Sequence, residues 1–153
     1  MRLTTMTDYA LRLLIYLGRH PDRLCTIAEV AQAYQISEAH LTKITHQLGL
    51  GGWIQTVRGK GGGMRLALAP EQISVGRLVR SVEPDFALVE CLGEQDDCSL
   101  SGRCRLTGIL GEALAAFQQT LERYTLADLL AAPPARAARR QTVVSPPVRH
   151  RTT

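Results

Sequence analysis

Three cysteines fall close together: Cys91, Cys98 and Cys104, with six and five residues between them. Thiolates are soft ligands, and three of them on one short segment can wrap a single metal centre. Zinc sites ordinarily use close Cys-x-x-Cys pairs and four ligands, and this spacing offers neither. Three cysteines on a loop suit an iron–sulfur cluster whose fourth iron ligand is drawn from elsewhere. The plainer alternative is three unconnected thiols. His20, His40, His46 and His150 all lie far from the loop in sequence, so a carboxylate is a candidate fourth ligand. Cys25 stands isolated between Leu24 and Thr26 and reads as a small buried side chain.

A second constellation is basic. Arg58-Gly59-Lys60-Gly61-Gly62-Gly63 sets two cations among four glycines. Glycines let backbone approach a groove or a phosphate closely, and cations neutralise phosphate charge. A nucleotide-binding P-loop is excluded, because no Gly-Lys-Ser/Thr follows a four-residue gap. Upstream, Ser37, Glu38, Ala39, His40, Thr42 and Lys43 open a helical segment whose Leu41, Ile44 and Leu48 turn inward. His40 and Lys43 then share the outer face, with His46 one turn on. Such side chains reach base edges or phosphates. A solvated surface helix is the bland alternative for that segment alone.

The elements that must position these residues follow from capping and periodicity. Thr7 and Asp8 precede an apolar stripe at 10, 13, 14 and 17, which predicts a first helix with Thr7 as its N-cap, ended by Pro21. Thr26 and Glu29 form a capping box for a second helix running to about Tyr34. Ser37 caps a third, which reaches Leu50 before Gly51-Gly52. Residues 53–58 and 64–68 flank the glycine loop as a β-hairpin. Ser74 to Val82 reads as a short helix with Val75, Leu78, Val79 and Val82 inward. Leu106, Ile109, Leu110, Ala113, Leu114, Phe117, Leu121 and Tyr124 repeat at spacings of three and four, a long amphipathic helix of about five turns. A stripe this long in so small a chain fits a partner subunit better than a single core. Residues 125–130 could add one further turn.

With 153 residues, 45% apolar and 21% charged, the chain is an ordinary globular domain with an extension. No run of about 18 apolar residues exists, so no membrane span is expected. The opening residues lack an apolar core and a cleavage site, so the chain is expected in the cytoplasm, where thiols act as ligands rather than disulfides. Charge is unevenly placed. Residues 1–80 carry ten Lys/Arg and five Asp/Glu, residues 81–130 three and nine, and residues 131–153 five and none. A basic front half implies an anionic partner. Helix, short helix, tight turn, helix and hairpin is the order of a winged helix-turn-helix. The fold expected is mainly α with a small β-hairpin. Its domains are a DNA-binding unit at 1–82, a cysteine-rich loop at 83–104, a dimerisation helix at 105–130 and a disordered basic tail at 131–153. No nucleophile–base pair stands out, so an enzyme is not expected.

Over about residues 1–130 the chain resembles the winged-helix iron–sulfur repressors that include the nitric-oxide sensor NsrR and the cluster-biogenesis regulator IscR. The resemblance rests on Thr7-Asp8-Tyr9-Ala10-Leu11-Arg12, His40-Leu41-Thr42-Lys43-Ile44, Val57-Arg58-Gly59-Lys60-Gly61-Gly62-Gly63, the three cysteines and Tyr124-Thr125-Leu126-Ala127-Asp128-Leu129. IscR-type proteins add a histidine shortly after the third cysteine, where this chain has Thr107. NsrR-type proteins use an aspartate near the N-terminus of the other subunit, which Asp8 matches. The resemblance therefore implies Cys91, Cys98, Cys104 and Asp8 of the partner subunit as ligands, with Arg12 and Glu83 in the cluster environment. The first cysteine gap, at six residues, is longer than the family's usual four or five. The resemblance further implies a homodimer on an inverted-repeat operator in double-stranded DNA, contacted by Ser37, His40, Thr42, Lys43, Arg58, Lys60, Gly61 and Gly62. The cofactor implied is an iron–sulfur cluster, 4Fe–4S first and 2Fe–2S second, with nitric oxide as signal. A regulator of iron–sulfur supply or redox state, and a structural zinc protein, are the rivals.

Overall fold

The first helix begins one turn earlier than its apolar stripe predicts. In the computed structural model, which describes residues 3–86, 89, 92 and 103–131, α1 spans Thr5–Gly18 and Thr4 is the N-cap. The Thr4 hydroxyl accepts from the Thr7 amide at 3.3 Å. Thr7, expected at the cap, is buried inside the first turn, and its hydroxyl donates to Glu83 in a short hydrogen bond. One hydroxyl cannot serve both places, and the buried carboxylate from the far side of the fold claims it.

The two helices that follow form as their caps dictate. α2 spans Ile27–Tyr34, with the Thr26 amide donating to Glu29 Oε2 at 2.6 Å and the Glu29 amide to Thr26 Oγ1 at 3.2 Å. Gln35, in the left-handed region at φ 54°, turns the chain at once into α3, Glu38–Leu50, capped by Ser37. Leu13, Leu14 and Leu17 of α1 meet Val30, Leu41, Ile44 and Leu48 in the core.

β1 (Ile54–Val57) and β2 (Gly63–Leu66) pair antiparallel, Ile54 opposite Leu66 and Val57 opposite Gly63. Cys25 adds a backbone bridge that sequence reading did not foresee: its amide donates to the Met64 carbonyl at 2.9 Å, and its carbonyl accepts from the Met64 amide at 2.8 Å. Only glycine fits at position 63, because a Cβ there lies 2.7 Å from the Cys25 carbonyl oxygen. The hairpin is thereby fastened to the α1–α2 connection.

A 3-10 turn at Pro70–Gln72 leads to α4, Val75–Val82, whose Val75, Leu78, Val79 and Val82 are buried as expected. α5, Arg105–Glu122, has the expected five turns and no buried residue. α6, Leu126–Leu130, does not continue it. A Thr125–Asp128 capping box restarts the chain, the Leu126 amide donates to the Ile73 carbonyl at 2.8 Å, and Leu126 is buried in the winged domain. α5 itself rests on α4 at Gly76, where a Cβ would come 2.7 Å from the Glu122 amide nitrogen, and Arg80 pairs with Glu122. Cys91, Cys98 and the segment beyond residue 131 lie outside the described residues. No helix among those described is long and apolar enough to cross a membrane.

Candidate nucleic-acid interface and cluster site

α3 turns its apolar stripe into the core, which leaves Ser37, Glu38, His40, Thr42, Lys43 and His46 on one exposed flank. Three of these side chains, Ser37, His40 and Thr42, already have local partners. Ser37 Oγ accepts from the His40 amide at 3.3 Å and lies 2.9 Å from His40 Nδ1. That contact orients the exposed imidazole through Nδ1. The Thr42 hydroxyl donates to the Glu38 carbonyl at 2.8 Å, so Thr42 offers a groove its methyl and lone pairs rather than its proton. Lys43 forms no ion pair among the described residues.

The hairpin loop carries Arg58 and Lys60 exposed, again with no ion pair among the described residues. Its glycines are needed by the turn itself. Gly59 and Gly61 have φ of 97° and 77°, which L side chains rarely adopt. At Gly62 a Cβ would collide with the Val57 carbonyl, and the Gly62 amide donates to the Gly59 carbonyl at 2.9 Å. The loop is therefore a tight tip that presents two cations. Conformational need comes before any approach to phosphate.

The proposed cluster residues are partly described. Cys104 is the N-cap of α5, half-buried, and the backbone amides of Thr107 and Leu106 hold its thiol below the ordinary value. A thiol at a helix N-terminus is disposed to be thiolate, the form a metal requires. Thr107, the residue in the histidine position of the resemblance, thus assists Cys104 through its backbone. Cys25 is treated in the opposite way. It is fully buried, and burial pushes its thiol up. Among the described residues no three His, Cys, Asp or Glu side chains gather into a metal site. The donor that is described, a thiol at a helix cap, suits iron.

Asp8 is half-exposed on the first turn of α1, and Arg12 one turn along holds both of its oxygens, at 2.9 and 3.2 Å. Glu83 is buried and does not join them. Its carboxylate receives the Thr4 amide at 3.2 Å, the Thr4 hydroxyl at 3.1 Å and the Thr7 hydroxyl. Glu83 therefore ties the end of α4 to the start of α1. Sequence reading missed Tyr9, which lies between Asp8 and the recognition flank: its ring centroid is 6.2 Å from that of His40 and 5.9 Å from the Arg12 guanidinium carbon. It missed Thr4 too. No local pattern announces either, since both meet partners from distant elements.

Comparison with known proteins agrees with this geometry. Two proteins named HTH-type transcriptional regulator NsrR, from Halalkalibacterium halodurans and Shouchella clausii, are 51% and 50% identical over 132 residues, covering 85% of this chain and 90% and 89% of theirs. The protein of that name from Bacillus subtilis is 45% identical over the same length, which is 90% of that protein. Among solved structures, T. potens IscR superposes with a TM-score of 0.68 at 24% identity, over 85% of this chain and 86% of that one. CymR, the global cysteine regulator of B. subtilis, gives 0.69 at 24% identity, over 85% and 96%. These likenesses establish the winged-helix fold. The relatives are named as regulators, not enzymes. Residues 3–132 match the family described as Rrf2, iron-dependent transcriptional regulators, and the chain belongs to that family.

Proposed function

We propose that the chain is a homodimeric repressor that holds an iron–sulfur cluster and lets go of operator DNA when nitric oxide reaches that cluster. The observation that carries this reading is the match of residues 3–132 to a family described as iron-dependent transcriptional regulators. Cys104, at the N-cap of α5, is only half-buried and open to a ligand role, whereas Cys25 is fully buried. Cys91, Cys98 and Cys104 are the proposed thiolate ligands, and Asp8 of the partner subunit the proposed oxygen ligand. The relatives named HTH-type transcriptional regulator NsrR support a transcriptional regulator.

A 4Fe–4S cluster, or 2Fe–2S in the alternative form, would be held by Cys91, Cys98, Cys104 and Asp8 of the partner subunit, and would supply iron reactive toward nitric oxide. The chain's own residues do the rest. Arg12 engages the Asp8 carboxylate when no iron does, Glu83 fixes the first turn of α1, and Tyr9 meets His40. A change at Asp8 is thus one residue away from a contact with α3. α5 exposes Leu106 and Ile109, each at 55%, and supplies the proposed dimer face. Two recognition flanks related by that two-fold axis read an inverted repeat. His40 and Lys43 face base edges and phosphates, with Ser37 and Thr42 beside them, while Arg58 and Lys60 on the Gly61-Gly62 tip bind phosphate.

Anaerobic purification followed by iron, sulfide and zinc analysis tests the cofactor. The expected product is brown, with iron and sulfide in equal amounts. Colourless protein loaded with zinc contradicts the reading.

A further inference from the structure

The outward side of α3 is set by its buried side. Leu41, Ile44, Thr45 and Leu48 are buried, and at about 100° per residue Ala39 lies opposite their mean direction. Ala39 therefore stands at the centre of the exposed face, in the first turn of the helix. Thr42 is also exposed and follows at i+3, the spacing of neighbours on a helix surface. We propose that Ala39 and Thr42 form a methyl pair that recognises the 5-methyl group of thymine in the major groove. The proposal rests on the DNA-binding reading above and names a base which that reading leaves open.

The chemistry of the pair selects this group. The Thr42 hydroxyl donates to the Glu38 carbonyl at 2.8 Å, so it has no proton for the N7 and O6 acceptors of purines. Ala39 has no polar side-chain atom. Of the four bases, only thymine presents an apolar group in the major groove. Phosphate is the competing partner, and Glu38, exposed one turn before Thr42, repels it. The cations that bind phosphate stand to the side, at Lys43 on α3 and at Arg58 and Lys60 on the hairpin tip, all exposed. They fix the register of the helix on the duplex. The small side chain of Ala39 then lets α3 approach the base edges closely. The lone pairs of Thr42 make an adenine or cytosine amino group the competing base contact, and the two contacts call for opposite variants.

The test uses anaerobically purified full-length protein and an inverted-repeat duplex that it selects from a randomised library. Each thymine is replaced singly by deoxyuridine, which removes the methyl group alone. At one thymine or more in each half-site, affinity should fall by about fourfold, the equivalent of one buried methyl. Thr42→Val, which keeps the methyl and drops the hydroxyl, should show the same uracil effect. In the double variant Ala39→Gly and Thr42→Ser, which lacks both methyls, thymine and uracil duplexes should bind alike. Both duplexes are compared on one protein, so a general loss of affinity cancels. A consensus with no thymine in its half-sites overturns the proposal, as does affinity indifferent to uracil at every position. An equal uracil effect in wild type and in the double variant assigns the methyl contact to other residues and overturns it too. Operator preference lost in Thr42→Val and kept in Thr42→Ser shows reading by the hydroxyl and likewise overturns it. A library that yields no consensus overturns the operator reading and the proposal with it, whereas a consensus indifferent to uracil overturns the proposal alone.

Discussion

Arg12 holds the carboxylate of Asp8 through two contacts, Nη2 to Oδ2 at 2.9 Å and Nε to Oδ1 at 3.2 Å. A carboxylate so engaged must change partner to ligate iron in the other subunit. Both side chains are nearly half exposed, so the pair contributes little, about 0.2–1 kcal/mol. The exchange is therefore cheap, and Arg12 acts as a competitor for the proposed ligand.

Removing that competitor should strengthen the bond to the cluster. Arg12→Ala is expected to slow the chelator-driven loss of visible absorbance by up to about fivefold, the rate equivalent of 1 kcal/mol. In an Asp8→Ala background the same change should have no effect. An effect of equal size in both backgrounds contradicts the competition.

The cysteines separate cleanly. Single changes of Cys91, Cys98 or Cys104 to alanine should lower iron per subunit sharply, while Cys25→Ala keeps it. In cluster-free protein, Cys104 should react with iodoacetamide faster than Cys25 at neutral pH. Its thiol is held low by the α5 amides, while burial pushes Cys25 up and shields it. Peptide-resolved mass spectrometry reads both. Iron lost from Cys25→Ala and kept in Cys98→Ala reverses the assignment.

What sequence showed and what it hid divide along contact range. The Thr26–Glu29 box, the Ser37 cap, the inward valines of α4 and the hairpin around 59–63 are local signals, and each stands where expected. The N-cap of α1 does not. Thr4 and Thr7 both offer a hydroxyl ahead of an apolar stripe, and only Glu83, 76 residues away from Thr7, settles which one caps. Cys25 was readable as buried, but its backbone bridge to Met64 was not. Tyr9 against His40 and Gly76 against Glu122 are likewise products of packing. Among the site residues, Asp8 and Arg12 form a pair at helical spacing, whereas Glu83 joins the threonines instead of that pair.

The wing cations should act through phosphates alone. Lys60→Ala is expected to weaken binding to every duplex alike and to flatten the salt slope by about one. Lys43→Ala or His40→Ala on α3 should instead narrow the gap between operator and random DNA. Filter binding at four salt concentrations distinguishes them. An unchanged slope removes Lys60 from the interface.

Gly76 is the seat of α5. A methyl there meets the Glu122 backbone at 2.7 Å from its nitrogen and 2.9 Å from its Cα, atoms that cannot turn aside. Gly76→Ala should cost about 1–3 kcal/mol, the range for overpacking, seen as a lower urea midpoint. Since α5 carries the proposed dimer face, operator affinity should fall with it. A midpoint equal to wild type contradicts the close approach.

The central claim is that nitric oxide, acting at the cluster, governs DNA binding. Its most direct test is operator affinity of cluster-loaded protein before and after stoichiometric nitric oxide under anaerobic conditions. The predicted result is a loss of about 5–150-fold, the span of an allosteric coupling of 1–3 kcal/mol, with a smaller loss in Asp8→Ala. Affinity indifferent to nitric oxide, yet reduced when iron is removed, contradicts the claim and assigns the protein to sensing cluster supply.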